Sequence, residues 1–168
     1  MIHISSTSHD RVTYVTTRWL SRSEQRAWRS YIEGSLRLYE RLDRELREGH
    51  GLSMPEYEIL VRLSEASDRR IRMAELAESA NQSRSRLSHT VSRLERSRLV
   101  RRDSCPDDRR GVFAVLTDEG FTRLGQAAHT HVRGVREHLV DLVSSEDLVV
   151  VGQVMGVVAG KLGPPYPA

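Results

Sequence analysis

Arginine, serine and histidine crowd two short stretches of this chain, and both stretches suit the grip of a polyanion. The first, SRSRLSHTVSRLERS, begins at Ser83 and carries Ser83, Arg84, Ser85, Arg86, Ser88, His89, Ser92 and Arg93. The second, CPDDRRGVFAVLTDEG, sets Asp108, Arg109 and Arg110 ahead of an alternating apolar run. A guanidinium pairs with guanine O6 and N7 or with a phosphate, small hydroxyl residues permit close approach, and a helix N-terminus itself attracts phosphate. Between Arg69 and Arg110 twelve arginines stand against six acids, a local balance of +6 in a chain of net charge +3, which leaves −3 for the remainder. Such a concentration is the footprint of a polyanion site when structured elements carry it.

Other chemistries find little support. There is no Gly-rich phosphate loop, no HExxH, no CxxC and no GxSxG, so the chain is read as a non-enzyme without catalytic residues, cofactor or resident metal. His129, His131 and His138 form the one histidine grouping worth weighing. His131 and His138 share a helix face, so a metal-responsive site completed by another segment is one alternative; with no i, i+4 pair, solvated or contact histidines are the favoured reading. Cys105 has arginines nearby in sequence that lower a thiol pKa, which raises a redox-responsive alternative.

The 168 residues suit one domain with a real core. No apolar run approaches the roughly 20 residues of a membrane span, and MIHISSTSHDRVTYVTT lacks the pattern of a secretory leader. A single cysteine excludes an internal disulfide and points to the cytoplasm.

The elements that must position the two stretches follow from periodicity. Trp28, Ile32, Leu36, Tyr39, Leu42 and Leu46 recur at helical spacing, predicting a helix over 23–48 that Gly49, His50 and Gly51 stop. SMPE then reads as a helix start, with Ser53 as N-cap, Glu56 as its capping-box partner and Pro55 in the first turn. The second helix presents Tyr57, Ile59, Leu60 and Leu63. MAELAESA predicts a third, short helix that ends at the Asn81–Gln82 turn. In the fourth, Leu87, Val91 and Leu94 make a thin apolar stripe, with Ser85, Arg86, His89, Ser92 and Arg93 on the other side. The period then falls to about 2 on either side of the charged tip, which predicts a two-stranded hairpin. Thr117 caps a long fifth helix with Asp118 and Glu119 in its first turn. The fold class is mainly α with a small β-hairpin, a winged helix-turn-helix flanked by long helices.

LSMPEYEILVRLSEA, MAELAESANQSRSRLSHTVSRLERSRLVRR and CPDDRRGVFAVLTDEG together resemble the MarR-type (multiple antibiotic resistance regulator) transcription factors, with similarity from about Trp19 to Leu162. The Asp108-Arg109-Arg110, Leu116-Thr117 and Gly120 pattern is its most specific part. The resemblance implies an N-terminal extension over 1–18, dimerisation helices over 19–50 and 118–162, a winged DNA-binding region over 51–117 and a tail over 163–168. It implies a homodimer on a pseudo-palindromic site in double-stranded DNA, acting as a repressor released by a small aromatic or phenolic ligand. Arg110 is then the minor-groove residue, with Arg109 as its alternate and Asp108 as the orienting acid. Trp28, Tyr31, Tyr39 and Tyr57 are the candidate ligand-pocket residues, and the valine-rich LVVVGQVMGVV is read as a helix, not a strand. One departure stands out: the family favours glycine where the recognition helix breaks into the wing, and this chain has Arg98. Either Arg98 takes the left-handed cap or the helix ends differently. A winged-helix module that docks a protein and no longer reads DNA is the alternative from another class. The serine and arginine face argues against it, because a docking face exposes aromatic or aliphatic anchors.

Overall fold

In the computed structural model, which describes residues 17–105 and 108–162 and gives only the backbone of Cys105 and Asp108–Arg110, helix α1 spans Arg22–His50. The start of the N-terminal extension, Pro106, Asp107 and the tail over 163–168 lie outside the described residues. Helix α1 runs past the expected stop because Gly49 and His50 are still helical; the cap is Gly51, at φ +67°. Leu52 N–H donates to the Leu46 carbonyl at 3.3 Å and Gly51 N–H to that of Arg47 at 3.0 Å, a left-handed closure that glycine adopts without strain.

Ser53 then opens α2 (Met54–Glu65) as expected: the Glu56 carboxylate accepts from the Ser53 N–H at 2.8 Å and from its hydroxyl at 2.5 Å. After a 3-10 turn at Ser67–Arg69 come β1 (Arg70–Arg72) and α3 (Met73–Ser79). Asn81, at φ +49°, turns the chain into α4 (Arg84–Arg96), whose N-cap Ser83 accepts from the Arg86 N–H at 3.2 Å. Strands β2 (Val100–Cys105) and β3 (Asp108–Leu116) follow. Thr117 caps α5 (Asp118–His138) by accepting from the Gly120 N–H at 2.9 Å. Ser144 accepts from the Asp147 N–H at 3.1 Å before α6 (Ser145–Leu162), so the valine-rich segment is helical.

Strands β2 and β3 form the expected two-stranded hairpin, and a third strand joins its edge. The sheet has three antiparallel strands in the order β1-β3-β2, with Arg70 opposite Val115 and Arg72 opposite Phe113. Three residues with two arginines carry no strand pattern of their own; β1 exists because β3 offers it a free edge.

The chain divides into two units, Met1–Gly34 and Ser35–Ala168. Among the described residues of the first, Trp28 and Tyr31 are exposed, with ring centroids 6.0 Å apart. The second holds the core, in which Leu46, Ile59, Leu60, Leu63, Leu76, Leu87 and Val91 are fully buried. The apolar stripe of α1 is thus only partly used, since Leu42 and Leu46 are buried while Leu36 and Tyr39 stay exposed. Helix α6 has no buried residue at all. Among the described residues no single helix is long and apolar enough to cross a membrane.

Candidate nucleic-acid interface

Helix α4 buries Leu87, Thr90, Val91 and Leu94 and leaves Arg84, Ser85, Arg86, His89, Arg93 and Arg96 exposed. A thin apolar stripe against the core and a basic face toward solvent is what a helix needs to be held firmly from behind while its front enters a groove. At its N-terminal end a shallow hollow of about 480 Å³ is lined by Arg47, Ser83, Ser85, Arg86, His89 and Arg93. On its other flank, toward the hairpin, a hollow of about 430 Å³ lies between Arg84, Ser88 and Arg102 on one side and Arg72 and Val112 on the other. Basic side chains from several elements therefore bracket the recognition helix.

Two cations of this face are fixed by carboxylates. Arg93 Nε donates to Glu56 Oε1 at 2.8 Å, which ties the last turn of α4 to the start of α2. Burial alone pushes the Glu56 carboxyl up, but the hydrogen bonds from Ser53 and Arg93 outweigh it and hold the group below its ordinary range. Arg47 Nε pairs with Asp43 at 2.6 Å, and Asp43 also accepts from the Met54 N–H at 2.7 Å. The capping carboxylates of the α1–α2 corner thus double as anchors for the basic rim.

The sequence candidates do not all stand alike. Ser83, Ser85, Arg86, His89 and Arg93 line one hollow, while Arg84 lines the other, beside Ser88. Ser88 and Ser92 face the hairpin, where both accept hydrogen bonds from Arg102. Asp108, Arg109 and Arg110 open β3 at the tip, with Asp108 opposite Cys105; their side chains, and that of Cys105, lie outside what is described. Sequence reasoning missed Arg47, Arg72 and Arg102, which reach this surface from elements other than α4 and its tip. Their local sequence holds no signal of it, because only the packing of α1, β1 and β2 brings them there.

Arg98 resolves the departure noted above. It adopts φ +60°, with its N–H donating to the Glu95 carbonyl at 2.9 Å and the Leu99 N–H to that of Leu94 at 2.9 Å, so the left-handed cap forms with a full side chain. His138 Nε2 lies 2.8 Å from Glu45 Oε1, and the His131 ring packs on Tyr57 with centroids 4.7 Å apart. Burial holds the His131 pKa below its ordinary value. Tyr57, a candidate pocket residue, is 8% exposed and belongs to the core. Among the described residues no group of three His, Cys, Asp or Glu side chains is placed to hold a metal ion.

Comparison with known proteins places this geometry. Residues 50–111 match the MarR family. The chain is 46% identical to Sco3205, a MarR family transcriptional regulator from Streptomyces coelicolor solved in complex with DNA, over 87% of this chain and 95% of that one, with a TM-score of 0.84. It is 45% identical to AbsC, another MarR family transcriptional regulator from the same organism, over 87% and 98% of the two chains, with a TM-score of 0.82. The HTH-type transcriptional repressor YetL of Bacillus subtilis (strain 168) is 34% identical over 83 residues, a match that spans about half of either protein. The chain belongs to the MarR family of transcriptional regulators.

Proposed function

We propose that this protein is a homodimeric, cytoplasmic repressor that binds a pseudo-palindromic site in double-stranded DNA. The observation that carries the reading is the exposed face of α4, where Arg84, Ser85, Arg86, His89 and Arg93 stand clear of a buried stripe with basic hollows on both flanks. A relative of 46% identity solved with DNA supports the DNA partner, and the YetL match supports repression. Arg86 and His89 read base edges in the major groove, and Arg110, or Arg109 in its place, enters the minor groove with Asp108 orienting it. Release by a small aromatic or phenolic acid rests on the family resemblance alone.

Genomic footprinting with the purified protein, followed by salt titration on the site it finds, tests the reading. Arg86→Ala or His89→Ala should weaken specific binding more than non-specific binding. Arg110→Ala should flatten the slope of log K against log salt by roughly 2 per dimer, one counterion for each lost arginine. Failure of the wild-type protein to select any site would overturn the proposal.

A further inference from the structure

The guanidinium of Arg102 sits where β2 crosses the recognition helix, and it spends its donors on that helix alone among the described residues. Nη1 donates to Glu95 Oε2. Nη2 donates to the Ser88 carbonyl at 3.0 Å, to the Ser92 hydroxyl at 3.2 Å and more weakly to the Ser88 hydroxyl at 3.4 Å. Nη2 has two protons for these three acceptors, so one proton is shared. The Arg102 N–H in turn donates to Glu95 Oε1 at 3.1 Å, so one carboxylate holds both the strand's backbone and its side chain. Only 28% of the Arg102 side chain and 30% of that of Glu95 is exposed, which shields the pair from the screening that weakens surface ion pairs.

The position matters as much as the bonds. In the register Arg102 is opposite Ala114, which is fully buried, and two residues later the pairing shifts between Ser104 and Cys105. Arg102 is therefore the last position of β2 whose partner across the hairpin is buried. The other holds on the hairpin are the β1 pairing, which reaches Phe113 through Arg72, and the root, where Thr117 Oγ donates to the Arg98 carbonyl at 2.8 Å.

We infer that Arg102 is a positioning residue that locks the wing to the recognition helix, using Glu95, Ser88 and Ser92 as its seat, so that tip and helix meet DNA as one rigid unit. The inference rests on the proposed DNA-binding function for its purpose but not for its geometry. It gives Ser88 and Ser92, two of the candidate DNA-facing residues, a further role as part of the clamp. Lysine cannot replace Arg102, because a single ammonium does not span a carboxylate and two successive turns of helix as a planar fork does.

Amide hydrogen exchange on the free protein tests the clamp directly. In Arg102→Lys and in Glu95→Gln, protection across 100–116 should fall by at least about tenfold while α2 and α5 keep theirs. Unchanged protection of the hairpin in both variants overturns the inference. On the operator, Arg102→Lys should weaken binding in the wild-type background but add no further loss to Arg109→Ala/Arg110→Ala. Losses that add mean that Arg102 touches DNA itself, and they refute a positioning role. Absence of any operator binding by the wild type would sink the proposed function while leaving the exchange result to decide the clamp. Should Arg102→Lys fail to fold, Glu95→Gln carries both measurements.

Discussion

Arg98 carries a full side chain at φ +60°, where a residue with a Cβ is strained by roughly 1–2 kcal/mol and glycine is not. Glycine gives back about 0.4–1 kcal/mol through the freedom it adds to the unfolded chain. Arg98→Gly should therefore stabilise the protein by up to about 1 kcal/mol, read as a higher urea midpoint with an unchanged slope. A lower midpoint would show that the Arg98 side chain contributes more than its backbone costs. His131 makes a second residue-scale prediction. Burial lowers its pKa in the folded state, so below about 6.5 the unfolded chain takes up a proton that the folded chain refuses. Its contribution is complete above that pH, shrinks as pH falls, and levels off below the folded pKa. Urea midpoints at pH 7.5 and 5.5 should differ less in His131→Phe than in the wild type; an equal difference would remove His131 from the acid response.

Helix α5 meets the hairpin root through a glycine. A Cβ built on Gly120 would lie 2.1 Å from the Leu99 carbonyl oxygen and 2.8 Å from Leu116 Cδ1. That carbonyl cannot move aside easily, since it accepts from the Thr117 N–H at 3.1 Å and shares with the Arg98 carbonyl the one proton of the Thr117 hydroxyl. Gly120→Ala should thus cost about 1–3 kcal/mol by overpacking, and because the strain falls at the root of β2 it should also weaken operator binding. Gly125 is the control on the same helix: nothing lies within 4 Å of its Cβ position. Gly125→Ala should stabilise by roughly 0.5–1 kcal/mol through helix propensity alone. Chemical denaturation of the two variants checks both signs, and destabilisation by Gly125→Ala would mean that this face of α5 is covered.

At the scale of the molecule, α6 is the element whose composition and surroundings disagree. Val150, Val154 and Val157 are 55%, 56% and 67% exposed, and the helix buries no residue. Water-facing valines in this number are what a monomer avoids and a subunit interface uses. The proposed dimer predicts a sedimentation mass about twice 19.2 kDa at micromolar concentration. Val154→Asp should shift that mass toward the monomer and lower operator affinity, with the hairpin's hydrogen exchange unchanged. A wild-type monomer that still binds a palindrome tightly would exclude the architecture.

The caps at Ser53 and Thr117, the start of the fourth helix at Ser83, and the buried stripe of Leu87, Val91 and Leu94 were legible in the sequence because each depends on residues a few positions apart. The order of those elements already read as a winged fold, and the resemblance turned a valine-rich stretch from a plausible strand into a helix. Tertiary structure alone decided the rest. Strand β1 exists through pairing with residues more than forty positions away, and Arg47, Arg72 and Arg102 join the candidate interface through packing that no local pattern announces. Ser88 and Ser92 count among the DNA-facing candidates because periodicity reports which side of a helix a residue occupies; that they also seat Arg102 it does not report. Whether solvent or another strand meets that side is a long-range matter, and here the guanidinium of Arg102 meets it.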